Sequence, residues 1–103
     1  MCKILKSITY LKDMKVIKKK YPQFISKIKQ IELKIQNKDI TKLTRNKILK
    51  DSRAKGCSEC HVMFDLVIVY KYTLNDEVIL AKVGKHDDVF KRDWNNRDNW
   101  LNY

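Results

Sequence analysis

Apolar residues recur at helical spacing through the first third of the chain. Tyr10, Met14, Ile17 and Tyr21 are spaced 4, 3 and 4, which makes one stripe of an amphipathic helix, and lysines fill its other face. Pro22 interrupts the stripe and suits the first turn of a second helix. That helix carries Phe24, Ile28, Ile31 and Ile35, again spaced 4, 3 and 4. The pattern predicts a helical hairpin whose two apolar faces pack on a sheet. Residues 1–7 fit a short leading edge strand.

Beyond Asn37 the pattern weakens. Ile40, Leu43 and Ile48 fit a short helical turn or an irregular connection. Alternation then starts, with Cys57, Glu59, His61 and Met63 on one face of a strand. Leu66 to Tyr72 is β-branched and aromatic, as a central strand should be. Asn75-Asp76 supplies a turn, and Val78 to Val83 reads as a third strand ended by Gly84. Short connections between these three predict an antiparallel meander. The fold class expected is α+β: an N-terminal helical hairpin packed on a small, twisted, mostly antiparallel sheet. In the polar, aromatic tail, Trp94, Arg97 and Leu101 fit a short terminal helix.

At 103 residues the chain makes one domain, long enough to bury a core without disulfides or metal. No apolar run nears the roughly 20 residues that span a bilayer. The lysine-interrupted N-terminus has no signal-peptide core, so a cytoplasmic protein without membrane contact is expected. Net charge is +11 and uneven. Residues 1–55 hold 17 Lys and Arg against 4 Asp and Glu, or +13, and the remainder is −2. A basic half of this kind favours a polyanion, either nucleic acid or an acidic partner protein, over a merely solvated lysine face.

Cys57-Ser58-Glu59-Cys60-His61 matches the C-x-x-C-H pattern of c-type haem attachment. Strand alternation points the two thiols to opposite faces, and no export signal is visible. The same geometry argues against zinc, whose ligands must converge. A redox pair usually opens a helix near a βαβ unit, which is not seen here. The three cysteines are expected to be reduced packing residues, with no haem, zinc or other cofactor.

His61 and His86 are the two histidines of the chain. Each falls at a strand end beside a carboxylate, Asp65 near one and Asp87-Asp88 near the other. Two imidazoles and a carboxylate brought together by a small sheet can do acid–base chemistry near neutral pH. A lone strand histidine is more often structural, so on chemistry alone the two readings are evenly weighted.

The run Glu59-Cys60-His61-x-x-x-Asp65 before an apolar strand ending in Tyr70, followed by Gly84-x-His86-x-x-x-Phe90, resembles the YafQ branch of the RelE/ParE superfamily of bacterial toxins. Tyr10-Leu11-Lys12-Asp13-Met14-Lys15 is similar to that family's first helix. The resemblance implies a toxin domain over residues 1–90 and a C-terminal extension over 91–103. It implies a type II toxin that cuts mRNA on the translating ribosome by metal-independent acid–base catalysis, and an acidic antitoxin that silences it. His61, Asp65 and His86 take the catalytic positions. Lys50, Arg53, Lys55, Lys82 and Lys85 are the cations available to RNA, and Phe90 is an aromatic that can stack on a base. Family members often carry a further histidine upstream, where this chain reads Lys47-Ile48-Leu49-Lys50. Two alternatives therefore stay open: a relative that binds RNA or the ribosome without cutting, and, less favoured, a ParE-like topoisomerase inhibitor.

Overall fold

The computed structural model describes residues 2–48, 56–63 and 65–89, with backbone alone for Thr44, Lys47, Asp87 and Asp88. Five strands form one sheet: β1 (Lys3–Lys6), β2 (Thr44–Ile48), β3 (Ser58–Met63), β4 (Leu66–Tyr72) and β5 (Glu77–Lys85). Their order is β1-β5-β4-β3-β2. The expected meander of β3, β4 and β5 is antiparallel, and β1 joins β5 in parallel at the edge. Two helices, α1 (Ile8–Lys20) and α2 (Ile25–Gln36), form the hairpin, joined through a 3-10 turn at Pro22–Phe24.

The helical stripes face the sheet as their spacing requires. Tyr10, Ile17, Ile28, Ile31 and Ile35 meet Cys60, Val62, Leu66, Ile68, Tyr70, Val78, Leu80 and Val83 in one core. Each buried aliphatic side chain contributes about 1.5–3 kcal/mol by leaving water. A polar pin crosses the helices inside this core. The Tyr10 hydroxyl, fully buried, donates to Glu32 Oε2 at 2.5 Å, and Lys6 Nζ lies 4.0 Å from the same oxygen.

The start of α1 is tied to β5 by a single buried serine. Ser7 Oγ accepts from the Tyr10 N–H at 2.9 Å, which caps the helix, and donates to the Ala81 carbonyl at 2.6 Å. β1 pairs with β5 only as far as Leu80, so the strand edge is open beyond that point. One turn and a half along α1, the Asp13 carboxylate accepts the Val83 N–H at 3.2 Å. The lone aspartate in α1's lysine-rich surface thus satisfies a backbone donor at that edge. Lys18, Lys19 and Lys20 occupy the last turn of α1, where cations complement the helix dipole.

Two expectations need correction. The stretch expected to be a helical turn or irregular connection holds a 3-10 turn at Ile40–Lys42 and then an edge strand, β2. Its sequence, TRNKI, lacks alternation, and its one aliphatic, Ile48, is 75% exposed. Arg45 adopts a φ of 51°, and the pairing register shifts between Thr44 and Lys47, so a bulge distorts this strand. Gly84 does not end β5. The strand runs on to Lys85, and α3 (His86–Val89) begins directly after it. The terminal helix expected at Trp94, Arg97 and Leu101 lies outside the described residues.

Candidate active site

Strand register brings the two histidines together. His61 on β3 pairs with Val67 on β4, and Val67 pairs with Gly84 on β5. The three stand in one row on the face opposite the helices, because their neighbours Cys60, Val62 and Ile68 point into the core. Gly84 adds no side chain to that row, and His86 follows two residues later. The imidazole centroids lie 6.3 Å apart with the planes 29° from parallel. Both rings are half-buried. They are therefore held by the fold yet open to a ligand.

Asp65 sits in the short connection between β3 and β4. Its carbonyl accepts the His86 N–H at 2.8 Å, which fixes the first residue of α3 against that turn. Its residue also lines a small cavity of about 120 Å³ with Phe24, Met63, Leu66 and Lys85. The contact that joins Asp65 to the pair is thus made by its backbone. Lys85 reaches the helical hairpin, with Nζ 5.1 Å from the Tyr21 ring centroid. Lys82 stands in the row next to the histidines, where Glu59 pairs with Val69 and Val69 with Lys82. Lys50, Arg53, Lys55 and Phe90 lie outside the described residues.

Glu59 belongs to this face, and the sequence assigns it no role. It is 1% exposed and two residues before His61 on the same side of β3. Alternation put it on the His61 face, but nothing in the sequence marked it as buried. Asp13 was visible only as part of a family-like helix, and its bond to β5 carried no sequence signal.

The thiols behave as packing groups. Cys57 and Cys60 are free and buried. Burial, and secondarily the Glu59 charge, pushes the Cys60 thiol up to about 12, and burial raises that of Cys57. Neither is a ready nucleophile or metal ligand. Among the described residues, no group of three His, Cys, Asp or Glu side chains is placed to hold a metal ion.

A helical hairpin packed on a mixed sheet is the fold of the RelE/ParE-like toxins. A chain of a YoeB–YefM complex from Staphylococcus aureus superposes with a TM-score of 0.66 at 17% identity, over 84% of this chain and 98% of that one. The model of the family described as the bacterial toxin of type II toxin–antitoxin systems, YafQ, matches residues 2–91, and the chain belongs to that family. It is a toxin of a type II toxin–antitoxin system. Similar solved structures include a copper-bound mutant toxin from Helicobacter pylori, with 26% identity, a TM-score of 0.72 and coverage of 87% of this chain and 100% of that one. Another is the Escherichia coli DinJ–YafQ toxin–antitoxin complex, with 25% identity, a TM-score of 0.74 and coverage of 86% and 97%. No curated protein sequence matches the chain. Among the described residues, no helix is long and apolar enough to cross a membrane.

Proposed function

We propose that the protein is an endoribonuclease that cleaves mRNA by metal-independent acid–base catalysis at the histidine pair. The observation that carries this reading is the 6.3 Å separation of the two half-buried imidazoles. That spacing is about two hydrogen-bond lengths of ~2.9 Å, so the oxygens of one phosphodiester can reach both rings. His61 takes the proton of the ribose 2′-hydroxyl. The 2′-oxygen attacks phosphorus, the bond from phosphorus to the 5′-oxygen breaks, and His86 gives its proton to that leaving oxygen. The products are a 2′,3′-cyclic phosphate and a 5′-hydroxyl. Asp65 belongs to the base side with His61, and its carbonyl steadies His86. Lys82 and Lys85, with Lys50, Arg53 and Lys55, offset the phosphate charge, and Phe90 stacks on a base.

In the cytoplasm the mRNA would be engaged on the ribosome, and an acidic antitoxin would cover the basic half, as the relatives' toxin–antitoxin complexes suggest. Purified protein incubated with single-stranded RNA and ribosomes in excess chelator should yield those two end groups. Cleavage lost in chelator and restored by a divalent metal would refute the mechanism.

One observation favours the non-cutting alternative. Strand β2 borders His61, with Thr44 as its direct partner, and contributes no histidine there. Ribosome binding and growth inhibition without RNA ends would select that reading.

A further inference from the structure

A cavity of about 320 Å³ opens between the C-terminal half of α1 and the edge of β5. It exists because β1 stops pairing at Leu80; beyond that point Ser7, the cap of α1, and Asp13 tie the helix to the edge. Its wall on the helix side is Val16, Ile17 and Tyr21, with Asp13, whose carboxylate accepts the Val83 N–H, at one end. Lys20, Lys82 and Lys85 stand round it. Lys85 Nζ already lies over the Tyr21 ring at 5.1 Å, an arrangement that places a cation beside an aromatic face. Gly84 lines the cavity too, and it shares its row with His61 and precedes His86 by two residues. The hollow and the imidazole pair are therefore served by the same few residues of β5.

An apolar and aromatic wall ringed by ammonium groups suits a ligand with a flat, weakly polar part and an anionic part. The volume is at the small end of ligand pockets, about right for one nucleotide. We propose that this cavity is a subsite holding one unpaired nucleotide of the RNA substrate beside the cleaved linkage. The base lies against Val16 beside Tyr21, whose ring is already packed on Phe24, and the phosphate meets Lys20 and Lys85. The proposal rests on the reading of the protein as an RNA-cutting toxin, and it adds residues of α1 to the substrate surface.

The test uses Val16→Glu and Lys20→Ala in the full chain. Val16 is 50% exposed, so a carboxylate there is tolerated by the fold while repelling phosphate from the wall. With a single-stranded oligoribonucleotide, each variant should raise KM about tenfold and leave kcat within about twofold, in line with the usual worth of one stacked base. In a parallel NMR titration of the unaltered protein with an uncleavable 2′-O-methyl oligonucleotide, the methyl signals of Val16 and Ile17 should shift. Unchanged KM with unmoved methyls overturns the proposal. Methyl shifts caused by an acidic peptide but not by the oligonucleotide overturn it in favour of a protein partner. Methyl shifts in a protein that cuts no RNA uphold the subsite and sink the nuclease reading instead.

Discussion

Removing the two imidazoles singly and together tests the site most directly. His86→Ala deletes the group assigned to the leaving oxygen, and His61→Ala the group assigned to the 2′-hydroxyl. A general acid or base usually contributes 10²–10⁴-fold, or about 3–5 kcal/mol of barrier. The rings are half-buried, and neither belongs to the core that joins helices to sheet. Their loss should therefore cost only about 1 kcal/mol of folding stability. In the proposed mechanism one phosphodiester engages both rings across that 6.3 Å. The double variant should then be hardly slower than the worse single variant, because groups acting on one transition state are not additive. Single-turnover cleavage of end-labelled RNA gives the rates, and urea unfolding gives the stabilities. A His86→Ala protein that keeps more than about a tenth of the rate would refute the assignment. So would two losses that simply multiply, since that would mean the rings work independently.

Further outcomes follow from the same geometry. Tyr10→Phe keeps the ring but removes the donor to Glu32, so stability should fall by about 1.5–3 kcal/mol in urea unfolding with cleavage unchanged; a change under about 0.5 kcal/mol would deny the pin any role. Asp13→Ala should destabilise by about 1–3 kcal/mol and speed hydrogen exchange at the Val83 amide, and an unaltered Val83 amide would show that the edge is sealed by something else. Alkaline unfolding is also expected. Burial raises the Tyr10 and Tyr70 phenols and pushes Tyr72 and Cys60 up to about 12, so the folded state holds these protons more tightly than the unfolded chain does. The stability they contribute is intact below the unfolded thiol and phenol values, about 8.5 and 10, and is lost as pH rises through about 12; a midpoint insensitive to pH between 9 and 12 would contradict these burials. Finally, RNA binding should weaken steeply with salt, by about 0.7 in log affinity per log salt for each single-stranded phosphate contacted, and a flat response would return the lysines to a solvated face.

Several features were legible without any structure. The 4, 3, 4 stripes of Tyr10 to Tyr21 and Phe24 to Ile35 became α1 and α2, because helical periodicity is a local property of the chain. Alternation from Cys57 to Met63 separated Cys60 from His61, so the Cys60 thiol could be assigned to the core and the imidazole to the other face. The order of Glu59, Cys60, His61, Asp65, Gly84 and His86 was enough to indicate the toxin family. What the sequence left undetermined is non-local. Strand β2 escaped because an edge strand exposed to water has no need of an apolar face, and a bulge at Arg45 erased what alternation it had. The bond from Asp13 to Val83 joins residues 70 apart, and only the early end of β1 leaves that amide open to it. The meeting of His61 and His86 depends on the registers of β3 with β4 and of β4 with β5, where a shift of one residue would send a ring to the opposite face. Sequence determined which residues share a face, since that follows from backbone geometry over a few residues. Only the tertiary structure decided which faces meet, since that depends on how the whole core packs.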